Sequence, residues 1–135
     1  MKQEDLNLLF IELSARLPYG VMVAEFDEHG RKISMTAPLT NMCNVESHYR
    51  DLKLYLFPLS SMTEEQKKEC FRGTSLEIDK YGDVAVKDDF YGGSKYTDLE
   101  MYLEVIAWLN ENHFDYRGLI HKGLAIDATN LNIYN

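Results

Sequence analysis

Four histidines, two cysteines and a generous set of carboxylates are the side chains of this sequence that could do chemistry. His48 and Asp51 stand one helical turn apart, a spacing that lets a carboxylate orient an imidazole for proton transfer. His113 and His121 lie eight residues apart around an expected helix start, so they need not share a face. His29 falls in a turn. None of the four belongs to a His-Glu-x-x-His pair, the helical arrangement that holds catalytic zinc. Cys43 sits in a strand-like stretch and Cys70 late in a short helix. Two widely separated thiols make neither a disulfide framework nor a zinc site, and both read as inert and reduced. No metal and no cofactor is expected.

Other motifs fail on their chemistry. Gly118-Leu119-Ile120-His121-Lys122-Gly123 has the outline of a phosphate loop, but Leu124 and Ala125 stand where lysine and a hydroxyl must follow. Asp79, Asp83, Asp88 and Asp89 lack the register of a calcium loop, which needs a Gly at its sixth position and a Glu at its twelfth. No Gly-x-Ser-x-Gly elbow is present. A small enzyme that pairs carboxylates with His48, His113 or His121 is the alternative reading.

Charge narrows the partners. The net charge is -8, and the halves split after Lys67 carry 7 bases against 10 acids and 7 bases against 12. Nucleic-acid binding draws its sequence-independent affinity from Lys and Arg on phosphates, so nucleic acid is disfavoured as a partner. No stretch approaches the roughly 20 apolar residues of a membrane span, so no membrane association is expected. Met1-Lys2-Gln3-Glu4-Asp5 lacks the build of a secretory signal, and a cytoplasmic location is the default expectation. Nothing in the sequence specifies an oligomeric state.

The elements that must position these residues follow from periodicity. Leu6, Leu9, Phe10, Leu13 and Leu17 mark one face of a helix over 4–17, which Pro18 and Gly20 close. A hairpin is expected over 21–36, turning at Glu28-His29-Gly30. Further strands are expected over 39–45 and 52–57. Ser61 with Glu64, or Thr63 with Gln66, caps a short helix that stops at Gly73. Residues 76–78 and 84–86 pair through Tyr81-Gly82, and Tyr91-Gly92-Gly93-Ser94 reads as loop.

The last long helix starts at a Thr97-to-Glu100 capping box and runs to about Asn112. Leu99, Tyr102, Leu103, Ile106 and Leu109 form one stripe on it, and Met101, Val105 and Trp108 a second. The combined apolar arc spans about 220°. Such a helix is buried on two sides, or buried on one and bound to a partner on the other. Trp108 should be substantially buried.

Asp115 is expected to cap a short final helix ended by Gly123, with Phe114, Leu119, Ile120, Leu124 and Ile126 tying this segment to the body. Residues beyond Ala128 should fray. The fold expected is α+β and a single domain over 1–135: an N-terminal helix, a small antiparallel sheet that could curl into a barrel, and C-terminal helices.

Two stretches carry a resemblance. One is Leu54-Tyr55-Leu56-Phe57-Pro58-Leu59-Ser60-Ser61-Met62-Thr63-Glu64-Glu65-Gln66. The other is Asn112-His113-Phe114-Asp115-Tyr116-Arg117-Gly118-Leu119-Ile120, continued by Lys122-Gly123-Leu124-Ala125. Together they resemble an uncharacterised family of small proteins encoded by gut Bacteroidetes and their prophages or mobile elements. The resemblance implies a bacterial, phage-related origin and brings no activity, cofactor or catalytic residue.

The leading expectation is therefore a non-catalytic protein-interaction or accessory protein of a phage or mobile element, with a protein partner. Its candidate interaction surface is Met101, Val105, Trp108, Tyr116 and Arg117. Tyrosine suits recognition because it joins apolar area to a hydrogen-bonding tip.

Overall fold

The computed structural model describes residues 2–41, 49–87 and 99–134. The fold is α+β, and the chain divides into two compact units. The first comprises Met1–Leu56 and Gly118–Asn135, the second Phe57–Arg117.

The first unit begins with helix α1, Gln3–Arg16. Its expected apolar face packs inward, with Leu9 and Leu13 fully buried. Pro18 turns the chain into a 3-10 turn over Leu17–Tyr19, and Gly20, at φ 65°, donates its N–H to Leu17 O at 3.3 Å. Strand β1 (Met22–Glu25) pairs antiparallel with β2 (Ala37–Pro38) and with β3 (Leu52–Pro58). On its other side β3 pairs parallel with the last strand, Ala125–Asp127. Leu9, Leu13, Val21, Leu54, Leu56, Leu119 and Leu124 fill the core beneath.

The sheet is thus mixed, where a purely antiparallel one was expected, and it does not close into a barrel. Parallel pairing needs a crossover connection, and the return of the C-terminal segment to β3 supplies it here. No local pattern in either strand encodes that return.

The expected hairpin forms in part. Asp27 holds its turn, its Oδ1 accepting from His29 N and Arg31 N at 2.9 and 2.8 Å. The second strand over 32–36 does not form beyond one bridge, Phe26 to Lys32. The Ser34 hydroxyl accepts from Glu25 N at 2.7 Å, so a side chain fills a rung that backbone would otherwise make. Ile33 and Met35 are exposed, Met35 at 86%, so the alternation there has no face to bury.

The second unit is built around α2 (Glu64–Phe71), the hairpin β4 (Leu76–Ile78) and β5 (Val84–Val86), and α3 (Leu99–Glu111). Of the two capping boxes the sequence offered, Thr63 and Gln66 form one: Gln66 N donates to Thr63 Oγ1 at 3.1 Å, and Thr63 N to Gln66 Oε1 at 2.9 Å. Ser61 instead donates to Pro58 O. Asp79 orders the β4–β5 turn by accepting from Tyr81 N and Asp83 N, and Gly82 sits at φ 83°, where a side chain would be strained. Strand β6 (Phe114–Asp115) pairs parallel with Phe57 and Pro58, the end of β3. The last strand, Ala125–Asp127, is β7.

The short helix expected from Asp115 to Gly123 is absent. Phe114 and Asp115 are strand, and a series of bends and turns follows. Asp115 Oδ1 accepts from Arg117 N two residues on, at 3.3 Å, which is a local turn bond and not a helix cap. Gly118 and Gly123 both take positive φ, 74° and 78°, and so interrupt right-handed winding at each end. Among the described residues α3 is the only helix in the C-terminal third. The Thr97 and Asp98 positions of its expected cap, and strand residues 42–45, lie outside the described residues.

Nor do the last residues behave as a loose end. Tyr134 lies between β1 and β3, where Met22 N donates to its hydroxyl at 2.7 Å and the hydroxyl donates to Tyr55 O at 2.6 Å. The β1–β3 ladder ends at the Val23–Leu54 pair, so the phenol makes the next rung.

Candidate interaction surface

The three described histidines stand in different local settings. His29 is exposed beside Glu28 at 3.5 Å on the β1 turn, and His121 is exposed on the loop before β7. His113 belongs to the other unit, taking φ 64° as the chain leaves α3, and its carbonyl accepts from Phe57 N at 2.8 Å. His48 and Cys43 lie outside the described residues. Among the described residues no group of three or more His, Cys, Asp and Glu side chains could hold a metal.

Cys70 is buried, and burial pushes its thiol up to about 12, with Glu69 adding to the effect. A thiol so raised is protonated at neutral pH and is a poor nucleophile. The buried ion pair of the first unit, Glu12 Oε2 to Arg16 Nε at 2.8 Å, lies within α1 at one-turn spacing. It sits in the core and not in a cleft, so it reads as structural.

The apolar surfaces are more informative. The expected candidate stripe on α3 turns out to be its packed side. Val105 is 2% exposed, and Trp108 is half-buried, stacked on Phe114 with ring centroids 5.8 Å apart. Met101 is also half-buried. The reason is β6: its parallel pairing brings Phe114 under Trp108, beside Leu59, Met62, Cys70 and Phe71. Trp108 therefore reaches only part of the burial expected of it. Val105 is almost fully buried and can be reached only through the cavity described below.

Tyr116 and Arg117 stand nearby. The Tyr116 hydroxyl donates to Asn110 Oδ1 at 2.9 Å, which satisfies a largely buried amide, and the Arg117 guanidinium lies over the Tyr116 ring at 5.6 Å. Tyr116 is half-buried and Arg117 exposed.

The exposed apolar edge belongs to the other stripe. Leu99 is 73% and Leu103 55% exposed, and Tyr102 is partly open beside them. Of these three, Tyr102 also lines a cavity of about 380 Å³, with Leu76, Val84, Val105, Ile106, Leu109 and Tyr116; Leu99 and Leu103 are its neighbours along α3, three residues before and one after. Asp83 is the charged residue at the cavity mouth, and Glu100 and Glu104 are exposed further round the helix. A concave, mostly apolar site with a few polar groups is the general form of a binding pocket. It offers no paired acid and base around a reacting atom.

The two-stripe arc signalled that α3 faces two ways. Which stripe faced out depended on β6, which no periodicity in 113–117 foretells. No protein-family model, no curated protein and no solved structure matches the chain.

Proposed function

We propose that this chain is a non-catalytic protein-interaction module, an accessory protein of a phage or mobile element, as the resemblance implies. The observation that carries the interaction reading is the exposed Leu99–Tyr102–Leu103 edge of α3, whose Tyr102 also lines an apolar cavity. Leucines at 73% and 55% exposure on one helix edge are a costly surface for an isolated protein, and covering them would recover roughly 25 cal/mol per Å².

The charges around the edge favour one partner chemistry. Glu100 and Glu104 on α3 and Asp83 at the cavity mouth are exposed carboxylates. The complementary ligand is a protein segment with apolar anchors flanked by Lys or Arg, an arrangement that acidic groups steer and orient.

The test compares the wild-type chain with Leu103→Glu. Photo-cross-linking from a photoreactive residue placed at position 102 of both chains, in cells of the source bacterium, should trap with Leu103 in place a reproducible protein whose contact segment is apolar and basic. The Leu103→Glu chain should lose that product while keeping its thermal unfolding. A trapped segment that is acidic, or no product above the level of Leu103→Glu, defeats the proposal.

A further inference from the structure

The second unit carries another groove, of about 650 Å³, between α2 and β4. Its walls are Lys67, Lys68, Phe71 and Arg72 on the helix side, and Leu76 to Ile78 with Lys87 on the hairpin side. The lining holds four bases, Lys67, Lys68, Arg72 and Lys87, against two acids, Glu64 and Glu77, so in a chain of net charge -8 the groove is locally positive. Lys67 is held by Glu64 at 3.2 Å. Among the described residues Lys68, Arg72 and Lys87 make no ion pair. Lys68 complements the C-terminal end of the α2 dipole. That explanation does not extend to Lys87, which reaches the groove from the other side, just after β5, where its N–H donates to Ser75 O at 2.7 Å.

The hairpin side is an open strand edge. Lys87 N bonds Ser75 O, and Asp79 N bonds Asp83 O at 2.8 Å, so residues 75 and 79 turn their backbone groups toward β5. Antiparallel pairing alternates, so Leu76 and Ile78 turn theirs away. Leu76 N donates to Thr74 Oγ1, which leaves Leu76 C=O with the N–H and C=O of Ile78 along the edge. Among the described residues β4 pairs with β5 alone. A short, unpaired edge beside a helix is the setting in which an extended peptide adds as a further strand, backbone bonds giving affinity and side-chain pockets specificity.

We infer that the α2–β4 groove binds an extended acidic segment of a partner protein, added as a strand to the edge of β4 away from β5, with its carboxylates meeting Lys68 and Arg72. The site is separate from the α3 edge: its lining shares with the α3 cavity only Leu76. Its ligand also carries the opposite charge.

A positional-scanning library of fluorescein-labelled octapeptides tests it on the full chain, read by fluorescence polarisation. Acidic residues should be selected at alternate positions. Proline should be rejected between them, because it removes the N–H an added strand must donate. The double variant Lys68→Glu with Arg72→Glu should weaken the best acidic peptide by at least about tenfold, and thermal unfolding will show whether it is folded. Arg72→Gln should fall between the two without a charge reversal. Leu103→Glu should bind the peptide unchanged, which separates failure of this site from failure of the α3 surface. Selection of neutral or basic residues, tolerance of proline throughout, or unchanged affinity in both charge variants overturns the inference. So does a dimer in sedimentation velocity that Arg72→Glu dissociates, since a second copy would then be the occupant.

Discussion

Both units bury some polar groups and expose some apolar ones, but the two put their most telling groups to different uses. The first buries polar groups to complete itself: Glu12 and Arg16 pair at full burial within α1, and the Tyr134 hydroxyl fills a rung between β1 and β3. The second leaves apolar and charged groups at its surface. Leu99 and Leu103 stand exposed on α3, Lys68 and Arg72 flank a groove, and among the described residues the β4 edge has no further strand. Chemistry-bearing residue types occur in both. In the first, Glu12, Arg16 and Tyr134 are committed to structure, whereas in the second the open surfaces sit on a conventional apolar core of Leu59, Phe71, Leu76, Val105 and Leu109. A buried charged residue is thus no guide to function here, and the candidate sites lie where apolar or cationic groups lack cover.

The sharpest way to break this contrast is inside α1. Glu12→Leu strands the Arg16 charge in the first-unit core and should cost about 3 to 5 kcal/mol. Glu12→Leu with Arg16→Met should cost less than the sum of the two single changes. Denaturant unfolding of the four chains measures the coupling. Additive losses would show that the pair is not a structural unit.

Trp108→Ala comes next. Half-burial against Phe114 sets its cost at about 2 to 3 kcal/mol, below the roughly 3 to 5 of a fully buried aromatic. The native emission should lie between those of buried and fully hydrated indole. A fully water-like maximum would take Trp108 out of the second-unit core.

Tyr134→Phe should cost about 1 to 3 kcal/mol, because Met22 N–H and Tyr55 C=O both lose their partner. Truncation after Ala128 should cost at least as much. A truncation with unchanged thermal unfolding would mean that the phenol rung does not contribute.

Alkaline pH separates the units by their titrating groups. The folded state holds the Cys70 proton to about 12, against an ordinary 9.0, because burial disfavours the thiolate. A raised folded value means that the unfolded chain releases its proton first, so stability is intact below pH 9 and declines as pH climbs from there toward 12. Burial raises the Tyr134 phenol in the same sense, above its ordinary 10.0. Cys70→Ala should flatten the first part of that decline and Tyr134→Phe the later part, read as thermal midpoint against pH. Unchanged slopes in both would refute these linkages.

The smallest expected effect on stability is that of Leu103→Glu, within about 0.5 kcal/mol, since the side chain is mostly in water. Its effect should appear in partner cross-linking alone, which is the sense in which the second unit's surface is not structural.

Local signals were legible wherever the physics is local. Leu9 and Leu13 at one-turn spacing predict the buried face of α1, and Pro18 with Gly20 its end. Thr63 and Gln66 predict the cap of α2, and Tyr81-Gly82 the turn of the β4–β5 hairpin, because capping and turn bonds join residues two to four apart. The same reasoning misplaced a helix at 115–123. Asp115 is equally able to close a two-residue turn, and the parallel pairing of Phe114 with Phe57 takes the segment into a strand. It also misjudged the end of the chain, because one Tyr at position 134 gives no sign in sequence that its hydroxyl will complete a ladder 79 residues away.

By itself, the sequence determined the α+β class, the helices α1, α2 and α3 in outline, the β4–β5 hairpin and the acidic balance, all consequences of periodicity, capping and composition. Only the tertiary structure decided that β3 pairs parallel with β7, that Val105 and Trp108 face inward while Leu99 and Leu103 face water, and that Lys68, Arg72 and Lys87 gather around one groove. An amphipathic pattern states how many faces a helix has. Which face is covered depends on the element that arrives to cover it, and for α3 that element is β6, placed by backbone bonds to a strand 57 residues earlier in the chain.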